Sequence, residues 1–203
     1  MTIRDFNTNN WPFYLRLEND FINALNYVTF SEDNYQTFSV EFERQILSIG
    51  SELDIVWKML CRELVPGNTA SSVDAYYPIL SGLEGFLPAQ VSFKMQDVVI
   101  SPFGGWTNDA RPQWWKAYNT IKHDRITDNH YKKGNLENTF YALAGLYAAN
   151  RFLFNQLSIE HPFREPVPAS KVFSMAGWPG YIQLGNGFVQ VLHVDGSMSL
   201  EHE

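Results

Sequence analysis

Between Ser39 and Leu64 the side chains of Phe42, Ile46, Ile49, Leu53, Val56, Leu60 and Leu64 recur at steps of three and four residues. That spacing draws one apolar stripe along a long helix, and a stripe of this length has to be covered by other helices. Ser39 suits the N-cap, and Glu41 and Glu43 fall in the first turn, where the helix dipole favours anions. Pro66-Gly67 ends the run. Gly50, in the middle, is either a local weakness of up to about 1 kcal/mol relative to Ala or a point of close packing. Cys61 lies beside the stripe and reads as a small buried filler.

The remaining pattern is helical first and extended later. Phe13, Leu17, Phe21, Ala24 and Val28 mark a helix over 12–27, with Pro12 in a first-turn position. Residues 72–84 suggest a short helix limited by Pro78 and Gly82. Val91, Phe93 and Met95 then alternate with polar residues, and Val98-Val99-Ile100 follows, which predicts a two-strand hairpin ended by Ser101-Pro102. Residues 103–111 have the composition of a loop. Pro112 opens a helix to about Arg125, and Asn135 caps another reaching about Leu157. Small residues Ala142, Ala144, Gly145, Ala148 and Ala149 on that last helix allow a neighbouring helix to approach closely. Beyond it, Pro162, Pro166, Pro168 and Pro179 forbid a long helix. The runs 181–184 and 188–194 flank Gly185-Asn186-Gly187 as a second hairpin. The fold class expected is mainly α (α+β): a helical bundle over 1–160 with a hairpin insert near 90–101, and a β-rich extension over 161–203 packed on the same domain.

Composition bounds the function. The 203 residues carry a net charge of −7, distributed unevenly. Residues 1–110 hold 6 basic and 14 acidic side chains, residues 111–133 hold 6 and 2, and residues 134–203 hold 3 and 6. An acidic whole disfavours general coating of nucleic acid. The basic strip at 111–133 can still hold phosphate locally, because screening confines surface fields to about 10 Å at ordinary salt. One cysteine forms no internal disulfide, and the start of the chain lacks the apolar stretch of a secretory signal. The longest weakly polar run, 139–149, is too short for a bilayer. A cytoplasmic protein without membrane attachment is expected. No Gly-rich phosphate loop follows a strand: Gly104-Gly105 is too short, and 185–187 fits a turn.

The chemistry concentrates on the helix from Pro112 to Arg125. At 100° per residue Lys116, Asn119 and His123 share a face, with Trp115, Tyr118, Lys122 and Arg125 on a neighbouring strip and Trp114, Ala117 and Ile121 turned to the core. An imidazole, an amide to orient it and nearby cations suit phosphate chemistry. The imidazole would move a proton while Lys122 or Arg125 offset charge on a pentacovalent phosphate, without metal or cofactor. The candidate catalytic residues are therefore His123, Asn119, Arg125 and Lys122, with Lys116, Tyr118 and Trp115 as candidate substrate contacts. The plainer reading gives His123 and Asn119 a role in closing a helix end. His130 lies in a loop, His161 and His193 read as structural, and His202 falls in the tail.

The run Tyr118-Asn119-Thr120-Ile121-Lys122-His123 resembles the Arg-Asn-x-Ile-x-His element of HEPN domains. These are small α-helical bundles, many of which are metal-independent ribonucleases of toxin–antitoxin or antiphage systems. The resemblance implies that Asn119 is the family's polar residue and His123 its histidine, with the active site shared across a homodimer. The family Arg falls on Tyr118, a departure that Lys122 or Arg125 would have to make good. More broadly the chain resembles bacterial proteins of unassigned activity that carry a Trp-Trp-Lys-Ala-Tyr-Asn-x-Ile-Lys-His-Asp-Arg segment, with Pro102-Phe103 and Trp106 before it and Asn135–Asn138 after it. Two functions follow as expectations: an RNA-binding or RNA-cleaving module using the 111–133 strip, or a non-catalytic protein that engages a protein partner through the 103–115 loop and the C-terminal hairpin. The alanine- and glycine-rich helix adds the expectation of a homodimer.

Overall fold

The computed structural model describes residues 1–158, 164–178, 180–185, 188–192 and 197–202. A short turn α1 (Ile3–Asp5) and a π-helical turn (Phe6–Asn10) lead into α2 (Trp11–Ala24). The long stripe forms α3 (Val40–Leu64), whose N-cap Ser39 hydroxyl accepts from the Phe42 N–H, as the sequence predicts. After α4 (Val73–Leu80) the chain makes β1 (Val91–Phe93) and β2 (Val98–Ile100), antiparallel with Val91 opposite Ile100. Helix α5 (Gln113–Asp124) and helix α6 (Leu136–Leu157) follow, the latter capped by the Asn135 side chain accepting from the Asn138 N–H. The class is mainly α, with small antiparallel sheets.

The core lies between α3 and α6, which are buried along most of their facing lengths, with α2 and α5 on their flanks. The small residues of α6 serve this interior. Ala142, Ala144, Ala148 and Ala149 are fully buried, and a Cβ at Gly145 would lie 3.1 Å from the Trp114 ring. The close approach foreseen there is thus made within the chain, and this face offers no surface for self-association. Gly50 is a contact point as well: a methyl there would enter the Tyr118 ring.

Residues 164–178, in the segment expected to be a β-rich extension, complete the sheet begun by the hairpin. They supply β3 (Phe173–Met175), which pairs antiparallel with β1 and makes a three-stranded sheet of order β2-β1-β3. Val172 and Phe173 are fully buried. The Glu18 carboxylate, 1% exposed, accepts from the N–H groups of Lys171 (3.1 Å) and Val172 (3.2 Å), from the Ser170 hydroxyl, and from Tyr14 Oη at 2.8 Å. Burial and the Glu18 charge push the Tyr14 phenol above its ordinary pKa, so it stays a donor. Arg151, also 1% exposed, bonds Glu165 and Tyr147 Oη at 2.8 Å each and packs over the Trp178 ring. The sheet of β4 (Gly180–Gly185), β5 (Phe188–Leu192) and β6 (Met198–His202) is antiparallel in chain order. Its first two strands match the second hairpin. The turn residues Asn186 and Gly187, and His161 and His193, lie outside the described residues.

Candidate nucleic-acid interface

Helix α5 buries five of its twelve residues, an arc just short of half its circumference. Trp114, Trp115, Ala117, Tyr118 and Ile121 face inward, where Trp57 of α3 meets Trp115 at 4.8 Å and Trp106 at 4.7 Å between ring centroids. Gln113, Lys116 and His123 are exposed, and Asn119 and Thr120 are half-buried. The face carrying Lys116, Asn119 and His123 is therefore open, as the spacing predicts. His123 stands in the last turn, where the helix dipole favours cations, and its ring makes no hydrogen bond among the described residues.

Two expected substrate contacts are corrected. Trp115 is 4% and Tyr118 3% exposed, so neither ring has a free face on which a ligand could stack. Tyr118 is held where it is by the absence of a side chain at Gly50. The position that holds arginine in the HEPN element is thus part of the hydrophobic interior. Arg125 reaches α3 instead of the open face: its Nη1 donates to Glu43 Oε1 at 3.1 Å, although the side chain remains 63% exposed. Lys122 lies 5.3 Å from the Tyr118 ring centroid.

After α5 the chain turns through a short 3-10 stretch (Thr127–Lys133) with Asp128 and Asn129 at φ 52° and 58°, a left-handed geometry that Asp and Asn tolerate. His130 Nδ1 lies 2.7 Å from the Asp124 carbonyl, so that nitrogen carries the proton and donates. The Asp124 carboxylate is held below the usual carboxylate range by the Thr127 hydroxyl and N–H. Gly134 allows the loop to lie on α3, since a Cβ there would come within 2.7 Å of Glu43 Cα. The backbone N–H groups of Leu136 and Glu137 then donate to the carbonyls of Thr37 and Tyr35, which docks the 35–38 segment beside the strip.

That docking supplies aromatic groups the sequence does not signal. Phe38 and Tyr131, both exposed, meet edge-on at 5.7 Å, and Lys132 Nζ lies 5.7 Å from the Phe38 ring centroid. Phe38 belongs to no periodic segment, and only the tertiary contact brings it to the basic loop. Of the six cations in the strip, Arg111 pairs with Asp74 and Arg125 with Glu43. Lys116, Lys122, Lys132 and Lys133 have no ion-pair partner among the described residues. Cations interleaved with accessible rings are the pattern that single-stranded nucleic acid meets on proteins that bind it.

Among the described residues no group of three or more His, Cys, Asp or Glu is placed to hold a metal ion, and no helix is long and apolar enough to cross a membrane. Comparison with protein-family models, with curated proteins and with solved structures finds no match to this chain.

Proposed function

We propose that this chain is an HEPN-like RNA-binding module of the toxin–antitoxin or antiphage kind, which holds single-stranded RNA along α5 and the loop after it. The observation that carries the reading is a run of four lysines without acidic partners among the described residues, one of which, Lys132, lies against the exposed Phe38 ring that meets Tyr131. Lysines would neutralise phosphates while rings stack bases, a combination tolerant of sequence.

A metal-independent cleavage step is the further proposal, favoured by the open His123 ring one turn from Asn119. In that step His123 takes the proton of a ribose 2′-hydroxyl as its oxygen bonds to phosphorus. The bond to the 5′-oxygen breaks, that oxygen takes up a proton, and a cyclic phosphate and a free 5′-hydroxyl remain. Lys116 is the cation on the same helical face, two turns or about 10 Å of axial rise before His123. With Tyr118 buried in place of the family Arg, a second copy of the chain would have to bring the missing acid, and the proposed homodimer rests on that need alone. The buried Tyr118 also favours the alternative of a non-catalytic protein that engages a protein partner.

Fluorescence anisotropy with a labelled single-stranded RNA, followed by product analysis in EDTA, tests both steps. Wild type is expected to bind, and Lys116→Ala with Lys132→Ala to weaken binding together by about tenfold. His123→Ala should keep binding and lose any cleavage. Binding unchanged by the double substitution sinks the RNA reading, and cleavage unchanged by His123→Ala sinks the catalytic one.

A further inference from the structure

Two side chains beside the proposed RNA surface take no part in it. Val40 is 83% and Ile126 80% exposed, yet both are aliphatic and neither offers a face on which a base could stack. The fold brings them to either end of the Phe38–Tyr131 ring pair. Ser39, between Phe38 and Val40, is extended (φ −155°, ψ 160°), which sends its two neighbours to the same side of the chain. At the other end the Tyr131 N–H donates to the Arg125 carbonyl at 2.8 Å. Ile126 follows Arg125 directly, so its Cα lies within about 6 Å of the Tyr131 nitrogen. With the two ring centroids 5.7 Å apart, Val40, Phe38, Tyr131 and Ile126 follow one another across the surface as an apolar band.

Cations frame the band. Lys132 Nζ stands 5.7 Å from the Phe38 centroid, and Arg125 precedes Ile126. The carboxylates in the adjoining first turn of α3 are answered within the chain, Glu43 by Arg125 and Glu41 by Arg44. Asp124 accepts from the Thr127 N–H at 3.2 Å, and Asp128 lines a polar hollow with Gln36, Lys132 and Lys133. Exposed aliphatic side chains that adjoin one another and are rimmed by polar groups mark a contact with another molecule.

We propose that this band docks an acidic protein segment, whose apolar side chains cover Val40 and Ile126 while its carboxylates meet Lys132 and Arg125. The charge distribution selects that chemistry. Residues 111–133 hold 6 basic and 2 acidic side chains, a net +4 within a chain of −7, so an acidic segment is drawn to this strip and turned away from the rest. A segment seated there covers the Phe38 ring and Lys132, groups that the RNA reading also uses. Segment and strand then exclude one another, and the segment regulates RNA binding. That exclusion rests on the proposed function, whereas the docking does not.

Selection of a random peptide library displayed on phage against the whole protein, followed by anisotropy of the labelled selected peptides, tests it. Peptides that combine Asp or Glu with apolar side chains are expected. Val40→Ser with Ile126→Ser should weaken their binding by at least about tenfold, the scale of losing two covered aliphatic side chains. Both positions are on the surface and the substitutions add no charge, so binding of single-stranded RNA should be unchanged, and unlabelled RNA should displace the peptide. No enriched peptide, a basic one, or one indifferent to the double substitution overturns the docking site. RNA binding weakened as much as peptide binding assigns the band to the RNA surface and also overturns it. Self-association of the wild type that the double variant loses makes a second copy the occupant, with the same consequence. Peptide and RNA bound together overturn the exclusion. A peptide that binds as expected to a chain that binds no RNA upholds the docking site and overturns the RNA reading.

Discussion

At residue 50 two effects of opposite sign compete. Alanine is the better helix former by up to about 1 kcal/mol, but its methyl would occupy space held by the Tyr118 ring. Overpacking of this kind costs about 1–3 kcal/mol, so Gly50→Ala should lower the melting temperature. A rise would show that the ring yields freely. In a Tyr118→Leu background the same substitution should be nearly neutral, because the two side chains compete for one volume. Cys61 illustrates the opposite situation, a residue whose environment silences its chemistry: burial pushes its thiol up to about 12, well outside the range of a reactive cysteine. The same scale explains why Trp115 and Tyr118 were misassigned from sequence. Helical periodicity ranks faces only relative to one another. A helix that packs against both α3 and α6 buries a second strip that a helix touching only one neighbour would leave in water.

At the scale of elements, the helices were legible wherever one stripe and one cap coincided. Ser39 with the Phe42–Leu64 stripe, and Asn135 with the run to Leu157, fix two helices from local information alone. β3 was not legible, because three residues among prolines carry no period and its pairing with β1 is a long-range event. Glu18 was equally hidden: a charged residue inside a helical run reads as solvent-facing until the Ser170–Val172 backbone arrives to satisfy it. Glu18→Ala should destabilise the protein by about 3 kcal/mol, since it leaves several buried donors unsatisfied. Hydrogen exchange should show the loss concentrated in 170–175, and a loss confined to α2 would contradict the role assigned to this carboxylate. The first turn of α3 contributes a pH dependence. Arg44 (2.6 and 3.0 Å) and Gln45 (2.8 Å) hold the Glu41 carboxyl below its ordinary value of 4.5. A group whose folded pKa is depressed stabilises above its unfolded value and ceases to do so as pH falls through the folded one. The gap in denaturation midpoint between wild type and Glu41→Gln should therefore be present at pH 7 and narrow below about pH 4. A gap that widens in acid would reverse the sign.

Across the whole molecule, charge separation does what net charge does not reveal. The acidic remainder repels polyanions at long range, so the strip works only within a few screening lengths. Binding that engages four lysines should fall with salt at a logarithmic slope of roughly −3, the value for four counterions released from a single strand. A flat dependence would mean that stacking alone holds the strand. Much of the surface was legible in the charge count over 111–133, but its aromatic part was not, because Phe38 reaches Tyr131 only when 35–38 docks on the start of α6.

The pairing of β1 with β3 also imposes an order on synthesis. Roughly 80 residues separate the two partners, so at about 5–20 residues per second the edge of β1 waits several seconds for its neighbour to be translated. Over that interval the nascent chain presents a bare strand and an uncovered carboxylate to the ribosome's surroundings. A message truncated before codon 170 would yield a product fixed in that unfinished condition and exposed to proteases and chaperones.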